Sequence, residues 1–224
     1  MGLRTALANI HRDRLWWQKV LIGGALMLTV FGYPWAAGLE VESLENARRG
    51  FPTPLPPWRE WSTRYLIGLF AALIDLLFFG LPVFAAGMLF FCVGTLLFTS
   101  SAGGAAWLAT TGLAALLLYE LAIFAIGVAP VGRLIYVESG RVEDALGART
   151  VRAALRPRAR AVYARARLRS LPAYLPALLL GAGSWLVIWP LKPLLLWLAL
   201  SALLYGRLAV VQLYAAAESD VRFG

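Results

Sequence analysis

Four ionisable residues stand in stretches that otherwise carry almost no charge: Asp75, Glu120, Arg133 and Arg207. An Asp or a basic residue in hydrocarbon costs about 2.5–3.5 kcal/mol on insertion scales, so such residues are functional-site candidates. Two kinds of chemistry fit them. Opposite charges at equal depth can neutralise each other and pin helix register, or they can form a proton or ion relay along a wet path. Counting from the turns gives the pairing. Reflecting Asp75 through a turn near Ala102 lands at Ala129, one helical turn from Arg133. Glu120 and Arg207 lie at matched distances from the turns near Ala102 and Leu191–Lys192. The expected pairs are therefore Asp75–Arg133 and Glu120–Arg207. A relay needs further polar groups, and Thr110, Thr111, Tyr119 and Gln212 are sparse support. Register pins are the simpler reading.

The elements that must position these residues are apolar helices. Tyr65 to Thr99 contains one formal charge, Asp75, and Ala105–Ala129, Leu171–Trp189 and Leu194–Ala217 are similarly apolar. About 20 mostly apolar residues suffice to cross hydrocarbon as a helix. The chain is 60% hydrophobic with mean hydropathy +0.70, yet has a net charge of +9. Both hold only when charge is segregated into loops. The expected fold is all-α: a polytopic helical membrane protein, one domain over residues 1–224, with about six hydrophobic segments and proline-kinked helices.

Residues 1–19 read as a basic amphipathic lead-in, with Leu3, Leu7 and Ile10 at helical spacing and Trp16–Trp17 at the membrane edge. Residues 20–49 read as a broken first helix, interrupted at Gly32-Tyr33-Pro34 because proline removes a donor and clashes with the preceding turn. Its second half, Trp35–Arg49, is amphipathic with Glu40, Glu42 and Glu45, and ends at Gly50. The prolines of 51–57 predict an extended loop. Residues 65–99 and 105–137 predict long helices kinked at Pro82 and Pro130, the former as one span or two. A weak repeat relates Pro34…Val41-Glu42-Ser43 to Pro130…Val137-Glu138-Ser139. It makes the two units parallel, with Val20–Phe31 either re-entrant or spanning. A basic segment, 138–170, precedes a hairpin of 171–189 and 194–217.

Between Arg141 and Arg169 that segment holds nine arginines, Arg141, Arg149, Arg152, Arg156, Arg158, Arg160, Arg165, Arg167 and Arg169, against two acids, Glu143 and Asp144. Arginines between apolar spans mark the cytoplasmic side and attract anionic headgroups; they do not read as a nucleic-acid surface. Val142–Leu155 is expected as an interfacial helix, with Val142, Leu146 and Leu155 inward and Arg149 and Arg152 outward. Both termini are expected inside, in a prokaryotic cytoplasmic membrane.

Cys92 is the only cysteine and His11 the only histidine. An intrachain disulfide and a His-pair or Cys-rich metal site are thereby excluded. No nucleotide loop and no nucleophile–base set stands in the sequence, so no enzyme and no cofactor is predicted. Aromatic and small-residue faces suit peripheral pigment, quinone or lipid equally. Small residues recur at Gly23-Gly24, Ala85-Ala86-Gly87, Gly103-Gly104 and Gly181-Ala182-Gly183, as at faces where helices approach closely.

The order Lys19-Val-Leu-Ile-Gly-Gly24, Gly38, Arg49-Gly50, Pro54-Leu-Pro-Pro-Trp58, Trp61 and Gly68-Leu69 resembles the bacterial and archaeal membrane family called domain of unknown function 4013. Ala129-Pro-Val131 through Val137-Glu-Ser-Gly140 to Ala145-Leu146 also resembles YciC-like and glycerophosphodiesterase membrane-domain proteins. The first resemblance covers roughly 15–150 and implies a compact multi-helix membrane module with no activity to carry over. One departure stands out. That family usually carries an Arg soon after the Gly of the first long helix, where this chain has acidic Leu39-Glu40-Val41-Glu42. The expected function is an accessory or assembly subunit packing against other integral membrane subunits, its arginines on anionic lipid or an acidic partner. The alternative is a lipid or small-solute transporter using broken helices, which predicts a hydrated cavity lined by Asp75 or Glu120.

Overall fold

The computed structural model describes residues 1–99, 103–123 and 127–223, without the side chains of Val30, Phe79, residues 120–123 and residues 222–223. Every regular element among the described residues is helical. In chain order they are α1 (Leu3–His11), α2 (Trp16–Met27), α3 (Tyr33–Arg48), α4 (Trp61–Asp75), α5 (Leu81–Thr99), α6 (Gly103–Ile123), α7 (Ala129–Ser139), α8 (Val142–Leu146), α9 (Ala148–Leu155), α10 (Pro157–Ser170), α11 (Leu175–Leu186) and α12 (Lys192–Phe223).

Two of these helices form the centre. On α3, Ala37, Val41 and Leu44 enter one apolar cluster with Ala71, Ile74, Val131 and Leu134, while Ala36 and Leu39 enter a second with Ile10, Val20, Leu204 and Leu208. The long helix α12 likewise serves both clusters, through Val210, Val211 and Tyr214 on one side and Leu204, Leu208 and Ala209 on the other. Around this pair lie α1, α2, α4, α7, α10 and α11.

Glycines set the closest crossings. A Cβ on Gly68 would collide with the Pro34 carbonyl, and one on Gly38 with the Arg64 backbone, so α3 and α4 meet backbone to backbone. Gly24 admits Ser201 of α12 in the same way. The remaining small-residue groups behave differently: Cβ atoms added at Gly87, Gly104, Gly181 or Gly183 would meet nothing within the chain.

Pro34 sits in the first turn of a new helix, α3, where a missing N–H has no intrahelical partner to lose. Pro130 follows two π-helical residues, Gly127 and Val128, and residues 124–126 before them lie outside the described residues. The break expected at Pro34 comes earlier, after Met27, in a short turn where Thr29 Oγ1 accepts from Gly32 N–H at 3.0 Å. At Pro82 the chain stays helical from Trp61 to Thr99, because a π-helical turn, Leu76–Gly80, widens the ladder just before the proline. Residues 65–99 thus belong to one continuous rod rather than two spans.

Further differences concern the ends of the chain. Leu171–Trp189 is not one span: a tight turn, Leu171–Tyr174, leads into the 12-residue α11. The basic segment divides at Arg156–Pro157 as its prolines dictate, but Gly147 splits the expected 142–155 helix as well. Leu155 faces outward, and the small side chains Ala145, Thr150 and Ala154 are buried instead. Two helices are long and apolar enough to cross a membrane, Trp61–Thr99 and Trp189–Val221; Gly103–Tyr119 is apolar but shorter.

The proline-rich loop is extended, as its composition requires, and it is pinned. Leu55 is buried, and its carbonyl accepts from Lys19 Nζ at 2.9 Å while Pro54 O accepts from Asn46 Nδ2 at 3.1 Å.

Candidate functional site

Four charged side chains converge where α3, α4, α7 and α12 meet. Tyr33, Ala37, Glu40 and Leu44 share one face of α3 at helical spacing, which carries Glu40 inward until it is 1% exposed. Asp75 closes α4, Arg133 lies one turn into α7, and Arg207 lies midway along α12. Arg133 grips Asp75 with two donors, Nε to Oδ1 at 2.7 Å and Nη2 to Oδ2, and gives Nη1 to Glu40 Oε2 at 2.6 Å. Arg207 places Nε 2.7 Å from Glu40 Oε1 and Nη2 3.5 Å from Asp75 Oδ2. The Arg207–Glu40 contact is ionic rather than an aligned hydrogen bond, since Oε1 accepts none. Tyr33 completes the ring: its hydroxyl accepts from Arg207 Nη1 at 2.9 Å, and the guanidinium lies 5.3 Å over its aromatic face.

The result is a quartet of two carboxylates and two guanidiniums with no net charge. A buried ion in such a place is tolerated only when paired and hydrogen-bonded, and each of the four is. The structure therefore brings Asp75 and Arg133 together. Arg207 is held by Glu40 and Asp75; the side chain of Glu120, its expected partner, lies outside the described residues. Glu40 is the member that depth counting missed. Its signal was its helical spacing from Tyr33 and Leu44 on an otherwise small, apolar face.

One side of the quartet opens into a cavity of about 540 Å³. Asp75, Arg133, Arg207 and Tyr33 form its charged wall; Leu76, Leu134, Leu203, Val210 and Val211 supply the apolar remainder. Thr110, Thr111, Tyr119 and Gln212, the groups a relay would have used, lie elsewhere. Both threonines bond back to their own helix, Tyr119 accepts from Arg160 at 3.1 Å, and Gln212 donates to Ser43 at 3.4 Å.

A second ionic clasp was not anticipated. Arg64 of α4, 3% exposed, holds Glu42 with Nε to Oε1 at 3.0 Å and Nη2 to Oε2 at 2.5 Å. It also donates to Pro57 O at 2.7 Å and lies 5.0 Å over the Trp58 ring, so one side chain ties α3, α4 and the proline-rich loop together. Glu40 and Glu42 lie in the same turn of α3, on opposite faces, and point to opposite clasps. The acidic departure at this place in α3 is thus the origin of both. Each glutamate finds a cation on another helix.

Eight of the nine arginines of the basic segment are exposed: Arg141, Arg149, Arg152, Arg156, Arg158, Arg160, Arg165 and Arg169. Arg167 is the exception, half-buried and lining the cavity. His11 is exposed and is hydrogen-bonded to Tyr205 Oη at 2.8 Å with its ring stacked on the tyrosine. No group of three or more His, Cys, Asp or Glu capable of holding a metal stands among the described residues.

Comparison with curated proteins and with solved structures finds no match. The family model described as "Protein of unknown function (DUF4013)" matches residues 21–189, a stretch that carries Glu40, Glu42, Arg64, Asp75, Arg133 and Arg167. With both clasps inside that match, except for Arg207 on α12, the chain belongs to the DUF4013 family.

Proposed function

We propose that this is a polytopic membrane protein of about six hydrophobic segments that holds a membrane-derived amphiphile, without catalysis, in the cavity beside the quartet. The observation that carries the reading is the composition of that one space. The quartet with Tyr33, and Arg167 with Tyr174, give the space its charged and polar groups, and Leu44, Leu76, Leu134, Leu203, Val210 and Val211 give it an apolar surface, which matches a molecule with a polar head and an apolar body. Both carboxylates are already held by guanidiniums, so neither is poised as a general base; the wall recognises rather than reacts.

Embedding in a bilayer is supported by the apolar rod Trp61–Thr99, by Trp189–Val221 and by the large exposed hydrophobic side chains of the α5–α6 hairpin. The rod's 39 residues extend about 58 Å at 1.5 Å per residue, so it exceeds the hydrocarbon thickness and must tilt or project. The 12-residue helices α2 and α11 reach about 18 Å each and act as half-spans packed on α12. The arginine-rich segment and both termini then face the cytoplasm of a prokaryotic cell, where each exposed cation contributes roughly 1 kcal/mol of attraction to anionic headgroups.

The test is purification of the full-length protein from its source membrane in gentle detergent or nanodiscs, followed by native gel and mass spectrometry. A stoichiometric bound amphiphile, lost when Ala72→Phe fills the cavity, is the expected result. Co-migration with a larger complex and no retained amphiphile overturns the reading. That outcome would favour an accessory subunit, for which the unused small-residue faces at Gly87, Gly104, Gly181 and Gly183 are the supporting observation.

A further inference from the structure

The geometry points to Arg167 and Tyr174 as the phosphate-binding threshold of a lateral entry, through which an anionic phospholipid reaches the cavity with its acyl chain along α11. This rests on the amphiphile-binding reading and names the ligand class and its route. Arg167 alone among the arginines of its segment turns inward, and no carboxylate among the described residues pairs with it. Its guanidinium lies 5.3 Å over the Tyr174 ring and donates from Nη1 to Tyr174 Oη at 3.2 Å. Tyr174 accepts that bond and keeps its own hydroxyl hydrogen for a further acceptor. An uncompensated guanidinium with four more N–H donors, beside a free O–H, is complementary to a phosphate.

The two residues also stand at a junction. They line the cavity that holds the quartet, and they line a separate groove of about 580 Å³ whose other walls are Leu171, Pro172, Leu175 and Leu178. Leu171, Leu175 and Leu178 follow helical spacing and share one face, each more than half exposed. An apolar stripe ending at an unpaired cation is the pattern of a chain and its headgroup. The quartet behind the threshold is neutral in sum, so Arg167 supplies the net positive charge of the lined space. That selects an anionic headgroup over a cationic one.

The test titrates the purified full-length protein, by native mass spectrometry, with phosphatidylglycerol, with diacylglycerol of the same chains, and with glycerol phosphate. Phosphatidylglycerol is expected to bind saturably, diacylglycerol about tenfold more weakly, and glycerol phosphate not measurably. Arg167→Gln should weaken phosphatidylglycerol about tenfold and Arg167→Lys much less. Leu175→Trp, at an exposed position, should weaken phosphatidylglycerol and diacylglycerol together. Unchanged phosphatidylglycerol binding in both Arg167→Gln and Leu175→Trp overturns the threshold; if Ala72→Phe still abolishes binding, the amphiphile reading stands without it. Equal binding of glycerol phosphate also overturns it, since the site would then take the free head. No amphiphile on the wild-type protein sinks the proposed function itself.

Discussion

The helices around the quartet and the α5–α6 hairpin solve the same problem in opposite ways. Around the quartet, α3, α4, α7 and α12 are joined by charge pairs and by glycines that let backbones touch. In the hairpin, α5 and α6 pack on each other with no ion pair among the described residues, while Phe84, Phe91, Leu96, Trp107, Leu108 and Leu116 all point outward. In lipid, apolar side chains gain nothing by leaving one apolar neighbour for another, so burial alone cannot choose which helices meet. Polar pairs and close backbone contact can choose. In the bilayer proposed above, the core is specified by the few residues that lipid would not tolerate, and the hairpin by lipid's indifference.

The largest expected effect comes from breaking the quartet. Glu40→Leu leaves two guanidiniums sharing one carboxylate in a buried place, and should cost about 3–5 kcal/mol in thermal or denaturant unfolding of the purified protein. The double variant Glu40→Leu/Arg207→Leu should recover much of that loss, since it restores neutrality. A double variant worse than the single one would show that the quartet is more than a register pin. Next, Gly68→Ala drives a Cβ into the Pro34 carbonyl and should cost about 3 kcal/mol by overpacking. Stability equal to wild type would mean that α3 and α4 do not cross so closely. Arg64→Met removes a bidentate pair and the tie to Pro57, and should cost about 2 kcal/mol while raising protease cutting in residues 51–60. At the small end, Gly87→Leu and Phe91→Ala should shift stability by less than about 0.5 kcal/mol. A loss of several times that in either would place the hairpin among the specified parts and erase the contrast.

Much of this was legible in the sequence, and the residues that escaped did so for physical reasons. The helical class, the loop at 51–57, the stop at Gly50 and the division at Arg156–Pro157 follow from proline and glycine chemistry. The approach of Asp75 to Arg133 followed from equal depth alone. Glu40 and Arg64 escaped because depth counting considers charges inside long apolar runs, and neither stands in one: Glu40 lies midway along the amphipathic α3 and Arg64 in the first turn of α4. Their burial arises from the α3–α4 crossing, which depends on Gly38 and Gly68 acting together across a proline-rich loop. The π-helical turn before Pro82 was hidden for a different reason. A proline announces a disturbed ladder but not whether it is relieved by a bend or by a wider turn.

The neutrality of the quartet has an electrical consequence. Moving one elementary charge through a potential of 100 mV involves about 2.3 kcal/mol of work. Two guanidiniums and two carboxylates displaced together involve none, so a rocking motion that keeps them joined transfers no gating current. A motion that parts either arginine from Glu40 and Asp75 would feel the field. In the bilayer proposed above, a protein built this way would keep its charged interior blind to swings in membrane voltage.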